Sequence, residues 1–109
     1  MSMITEFKRV GRLNDKDPAT ISERGMKLME EAGELAKEVN RTTGRKKSIT
    51  PIKEVRYDLL GEAADTIQCV FSIIHQFNTD TRFNTSEITF DELVERMSKK
   101  NDKWNDSLD

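Results

Sequence analysis

Glu31, Glu34 and Glu38 are spaced three and four apart, which places all three on one side of any helix that contains them. At about 100° per residue, Glu34 lies roughly 60° and Glu38 roughly 20° from Glu31, whereas Glu30 turns about 100° away to the flank. Farther along, Glu62 and Asp65 repeat the three-residue spacing, with Asp58 one turn before Glu62. Two stretches thus each carry paired carboxylates. Glu34–Glu38 and Asp58–Glu62 are like-charge pairs at i,i+4, a spacing at which like charges destabilise a helix. A solvated face is one account of these acids, and Lys27, four residues before Glu31, fits it.

The neighbours favour a second account. Ala32, Gly33, Gly61, Ala63 and Ala64 are small, so two helices bearing these acids could approach closely with their carboxylates converging. Carboxylates converging in a narrow space need a cation. Oxygen-only donors suit a hard ion, Mg²⁺ or Mn²⁺, and the absence of an adjacent His or Cys pair counts against structural zinc.

Glu30-Glu31-Ala32-Gly33-Glu34, followed after 27 intervening residues by Glu62-Ala63-Ala64-Asp65, resembles the EExxE…ExxD signature of the MazG-like, all-α nucleoside triphosphate pyrophosphohydrolases. The resemblance extends over about residues 20 to 104. It implies that Glu31, Glu34, Glu62 and Asp65 coordinate Mg²⁺, with Mn²⁺ as a substitute. It also implies attack of water on the α-phosphorus of an NTP or dNTP, giving the monophosphate and pyrophosphate. A carboxylate of the first motif would take the proton of that water, and Glu31, Glu34 and Glu38 are the candidates. Hydrolysis of phosphoribosyl-ATP, a sibling chemistry with a similar acidic motif, is a second reading. A non-enzymatic helical interaction module is a third.

The cations needed to hold a triphosphate have several sources. Arg96, Lys99, Lys100 and Lys103 cluster near the C-terminus, with Arg96, Lys100 and Lys103 on one face. The resemblance implies that such a basic C-terminal helix meets the phosphates, although Asn101 falls one residue late for the family's asparagine. A solvated helix end complementing the macrodipole is the plainer reading. Lys46 and Lys47, between the two acidic stretches, are further candidates for the phosphates, as is Trp104 for covering the base, although packing explains Trp104 more simply. His75 and Cys69 read as packing residues on an apolar segment, and neither belongs to a nucleophilic triad.

The elements that must carry these residues are helices. Ile4, Phe7 and Val10 predict a short one over 3–13, broken by the stretch from Asn14 to Pro18. Thr20-Ile21-Ser22-Glu23 has the spacing of a capping box and predicts a second helix running to about residue 40, before a polar, basic turn. Thr50-Pro51 predicts the start of a third, with Thr50 as N-cap and proline in the first turn, running to Phe77. Its apolar stripe widens after Ala63 until it circles the helix, the pattern of a segment buried on several sides. A second capping box, Thr89 to Glu92, opens a fourth helix with apolar Phe90, Leu93, Val94 and Met97, followed by a fraying end after Trp104. The fold class is therefore all-α, about four helices in one domain, 1–109, and the resemblance implies that they form a MazG-like bundle.

Size and charge bound the remaining possibilities. With 109 residues the chain has room for one core, and such a chain leaves much surface uncovered, which predicts an oligomer; the resemblance implies a homodimer or a homotetramer built as a dimer of dimers. A formal charge of −2 gives no bulk attraction for a nucleic-acid polymer or an anionic membrane. One cysteine excludes an intrachain disulfide. No apolar run has the length of a membrane span or the form of a signal-peptide core, so the expected location is cytoplasmic.

Overall fold

The structure, a computed structural model, describes residues 2–42 and 51–108. They form four α-helices and one 3₁₀ turn, and no strand occurs among them. Helix α1 (Met3–Asn14) begins at Ser2, whose Oγ accepts from the Thr5 amide at 3.3 Å. Helix α2 (Ile21–Thr42) opens on the expected capping box. The Glu23 amide donates to Thr20 Oγ1 at 3.1 Å, and the Thr20 amide donates to Glu23 Oε1 at 2.9 Å. This reciprocal pair satisfies two backbone donors that the first turn cannot.

Helix α3 (Ile52–Thr79) spans 28 residues, about 42 Å at 1.5 Å per residue. Pro51, predicted as the first helical residue, is instead the N-cap, so the helix begins one place later than expected, and the Pro51 carbonyl accepts from the amides of Glu54 and Val55. Thr50 lies outside the described residues. A 3₁₀ turn (Thr81–Phe83) follows, capped by Asp80 and closed by the stacking of Phe83 on Phe77, ring centroids 4.7 Å apart. Asn78 then brackets Ile88, donating to its carbonyl at 2.9 Å and accepting from its amide at 2.8 Å. This ties the end of α3 to the start of α4 (Phe90–Ser107), where Thr89 Oγ1 accepts from the Glu92 amide.

Helices α2 and α3 run antiparallel: Arg41 reaches Asp58 at one end of the pair, and Arg24 reaches Gln76 at the other. Helix α1 lies on the C-terminal half of α3. Phe7, Val10 and Phe71 form the core there, with Ile74, Phe90 and Leu93 packed against it. Phe7 and Phe71 meet edge-to-face at 5.1 Å, and the His75 ring lies over Phe7 at 4.2 Å while its Nε2 donates to the Phe7 carbonyl at 2.7 Å. His75 and buried Cys69 are thus packing residues, as expected.

Two expectations about packing fail within the chain. Among the described residues α1, α2 and the first turn of α4 cover the second half of α3 and leave Ile67 42% exposed, so the burial on several sides expected at the centre of a dimeric bundle is not supplied by the single chain. Trp104 is 65% exposed, so the described residues leave most of its ring uncovered. Helix α4 also continues past Trp104 to Ser107, with Leu108 as C-cap, where the sequence predicted fraying. It touches the core through Phe90 and Leu93 alone, so Val94, Met97, Trp104 and Leu108 form an uncovered stripe.

Candidate metal centre

The acids of α2 lie in its packed seam. Ile21, Arg24, Leu28, Glu31, Leu35 and Glu38 recur at intervals of three and four, and every one of them is buried or half-buried. On α3 the facing row includes Val55, Leu59, Glu62, Thr66 and Cys69, all likewise buried or half-buried. Side-chain exposure separates the two kinds of glutamate on α2: 14% at Glu31 and 12% at Glu38, against 65% at Glu30. A solvated face does not describe Glu31, Glu38 or Glu62. Small residues play less part than expected, since Ala32, Gly33, Gly61 and Ala64 are exposed and Cβ atoms at Gly33 and Gly61 would meet nothing within 4 Å.

Glu31, Glu62 and Asp65 each offer a carboxylate oxygen, all within 4.8 Å of one another. Cations occupy the two ends of the seam and leave its middle bare. Lys27 Nζ is 3.1 Å from Glu31, while Arg41 Nη1 bonds both oxygens of Glu38 and reaches Asp58 at 3.3 Å. Between them, Glu62 Oε2 is buried with no hydrogen-bond partner among the described residues. Burial holds the Glu62 carboxyl above its usual range, and the charges of Glu31, Asp65, Glu34 and Glu38 push it further the same way. The Lys27 ammonium is held above the usual lysine range mainly by its bond to Glu31.

An orphaned buried oxygen amid like charges is the environment a cation relieves. The donor set is all carboxylate, so the residues fit a hard ion such as Mg²⁺ or Mn²⁺. Exposed Glu34 stands outside the close triad, near enough to act on Glu62 through its charge, and no hydrogen bond engages it among the described residues.

The remaining candidates lie elsewhere. Arg96, Lys100, Lys103 and Trp104 are exposed on α4, and among the described residues no hydrogen bond or ion pair joins them to the acids. Lys99 pairs with Glu95 on its own helix at 3.5 Å. Lys46 and Lys47 fall outside the described residues.

Arg24 was missed from the sequence. It is 8% exposed and donates to Gln76 Oε1, Ser72 Oγ and the Asp17 carbonyl. Its signal was available in the apolar row of α2, where Arg24 falls between Ile21 and Leu28 at core spacing.

No protein-family model, no curated protein and no solved structure matches the chain. Among the described residues, no helix is long and apolar enough to cross a membrane.

Proposed function

We propose that the chain is a metal-dependent nucleoside triphosphate pyrophosphohydrolase of the MazG-like kind. The observation that carries this reading is the middle of the acidic seam, where Glu31, Glu62 and Asp65 converge and Glu62 Oε2 has no partner among the described residues. Mg²⁺ held by these three, with Glu34 at the rim, would supply charge neutralisation for a triphosphate and a more acidic water.

The chain's own groups divide the remaining work. Glu34 is the glutamate best placed to take the proton of the attacking water, because Lys27 engages Glu31 and Arg41 occupies Glu38. A bond forms between that water oxygen and the α-phosphorus, the bond from the α-phosphorus to the bridging oxygen breaks, and the products are a monophosphate and pyrophosphate. Lys27 and Arg41 flank the acids and are the near cations for phosphate oxygens.

Helix α4 supplies the remaining cations by way of self-association. The chain exposes 8885 Å², about 2,700 Å² more than the roughly 6,200 Å² expected of a compact protein of its mass. Its radius of gyration, 16.8 Å, likewise exceeds the roughly 13 Å of a compact chain of this length. An excess of this size matches what a dimer, or a dimer of dimers, covers. The apolar stripe of α4 would pack on a second copy, carrying Arg96, Lys100, Lys103 and Trp104 with it.

The test is pyrophosphate release from a panel of NTPs, dNTPs and phosphoribosyl-ATP in Mg²⁺, Mn²⁺ and EDTA. Metal-dependent release with the matching monophosphate is expected. Turnover of phosphoribosyl-ATP alone would move the assignment to that sibling chemistry. Silence across the panel from folded protein that also fails to bind metal would leave a helical interaction module.

A further inference from the structure

A cavity of about 380 Å³ opens between α1, α2 and α3, beside the acidic seam. Val10, Leu13 and Cys69 supply apolar wall, Arg24, Asn14 and Ser72 supply buried or half-buried polar groups, and the exposed carboxylates of Asp17 and Glu23 stand at the edge. Its size is at the small end of ligand pockets, which run from about 300 to 1,000 Å³, and suits a ring system better than a whole nucleotide. Its location is set by two lining residues. Lys27 reaches Glu31 at 3.1 Å, and Cys69 lies one turn beyond Asp65. A nucleotide with its phosphates on the acids therefore has this cavity beside it.

The polar wall is rigid. Arg24 Nε donates to Gln76 Oε1 at 3.0 Å, Nη1 to Ser72 Oγ at 3.1 Å and Nη2 to the Asp17 carbonyl at 2.9 Å. Ser72 Oγ in turn donates to Asn14 Oδ1 at 2.7 Å, and Asn14 Nδ2 donates to the Ser72 carbonyl at 2.8 Å. A guanidinium carries five N–H groups, so one N–H on each Nη has no acceptor among the described residues. The nearest carboxylate oxygen, Asp17 Oδ2, is 3.8 Å away on a side chain that is 60% exposed. A buried guanidinium whose hydrogen bonds all go to neutral acceptors, with its one carboxylate partner at 3.8 Å, is costly, and Arg24 lines the cavity with N–H groups still to satisfy.

We infer that this cavity seats the nucleobase and that Arg24 selects bases bearing an exocyclic oxygen, which makes adenine nucleotides the poorest substrates. The inference rests on the pyrophosphohydrolase reading above. Uracil, thymine, guanine, cytosine and hypoxanthine each present a carbonyl oxygen that accepts from a fixed N–H. Adenine presents an amino donor at C6 instead, which opposes a fixed N–H donor and leaves only ring nitrogens to accept.

Three purine substrates that differ only at C6 test this without altering the protein: inosine triphosphate with a carbonyl, ATP with an amino group and purine riboside triphosphate with hydrogen. In Mg²⁺, kcat/KM for inosine triphosphate should exceed that of both others by about tenfold or more. Arg24→Gln, checked for folding by circular dichroism, should bring the three values together, mainly by lowering the first. If this variant does not fold, the wild-type comparison decides alone. Pyrophosphate release at equal rates from all three, or a folded Arg24→Gln protein that keeps the preference, overturns the inference and leaves the hydrolase reading standing. No release from any nucleotide overturns both.

Discussion

Glycine 11 lies on α1 under the His75 ring, and replacing it with alanine should destabilise the protein although alanine is the better helix former. A Cβ at this position would fall 2.7 Å from His75 Cε1 and 2.8 Å from Nδ1. Carbon contacts settle at about 3.5 to 4.0 Å, so the ring must retreat by nearly 1 Å. It is not free to do so cheaply, since Nε2 bonds the Phe7 carbonyl and the ring lies over Phe7. Overpacking costs about 1 to 3 kcal/mol, the strained hydrogen bond adds about 1 kcal/mol, and the gain in helix propensity returns about 1 kcal/mol. The net is about 2 kcal/mol, or a fall in Tm of about 10 °C for a domain of this size. Gly25→Ala is the control, because a Cβ there meets nothing within 4 Å and the substitution should raise Tm by a few degrees. Thermal denaturation of both variants followed by circular dichroism is the assay. A Gly11→Ala protein as stable as Gly25→Ala would refute the placement of His75 against α1. Adding His75→Ala to Gly11→Ala should show a favourable coupling of at least about 1 kcal/mol.

Mg²⁺ should raise the Tm of the wild-type protein, and Glu62→Gln or Asp65→Asn should abolish both that shift and turnover with the helical spectrum retained; an undiminished shift in both variants would remove the assigned ligands. Stability without metal should depend on pH through Glu62. Its folded-state pKa is raised above the usual 4.5, so its contribution is fully present below that value and is lost as pH rises through the folded value. Glu23 and Asp80 act in the opposite sense, held low by the bonds from Thr20 and Arg82, and their contributions disappear as pH falls through the acid range. Thermal melts across pH in EDTA should therefore show Glu62 lowering Tm as pH rises above its usual 4.5 in the wild type, a decline that is smaller in Glu62→Gln. Sedimentation should find the wild type as a dimer or tetramer, and Met97→Glu combined with Trp104→Glu should shift it towards monomer, whereas an unchanged sedimentation coefficient would exclude the α4 stripe as the interface.

The helices are legible in local spacing, because their start signals act over a single turn. The Thr20 and Thr89 caps bond amides three residues away, so spacing alone locates the helix starts. The face shared by Glu31 and Glu38, and the pairing of Lys27 with Glu31, follow likewise from helical periodicity. Where those faces point was decided by tertiary structure. Periodicity alone allows Glu31 and Glu38 a solvated face, and only the antiparallel docking of α3 puts them in a seam opposite Glu62. The same docking brings Glu62 and Asp65 to within 4.8 Å of Glu31 while leaving Glu34 at the rim. Arg24 draws its partners Gln76 and Ser72 from a helix some fifty positions away, and no local rule pairs residues at such separation. The basic face of α4 was equally legible, yet its distance from the acids was not, since that depends on a core contact made by Phe90 and Leu93 alone. Local hydrogen bonds are written in spacing, and the meeting of distant faces is written only in the packing.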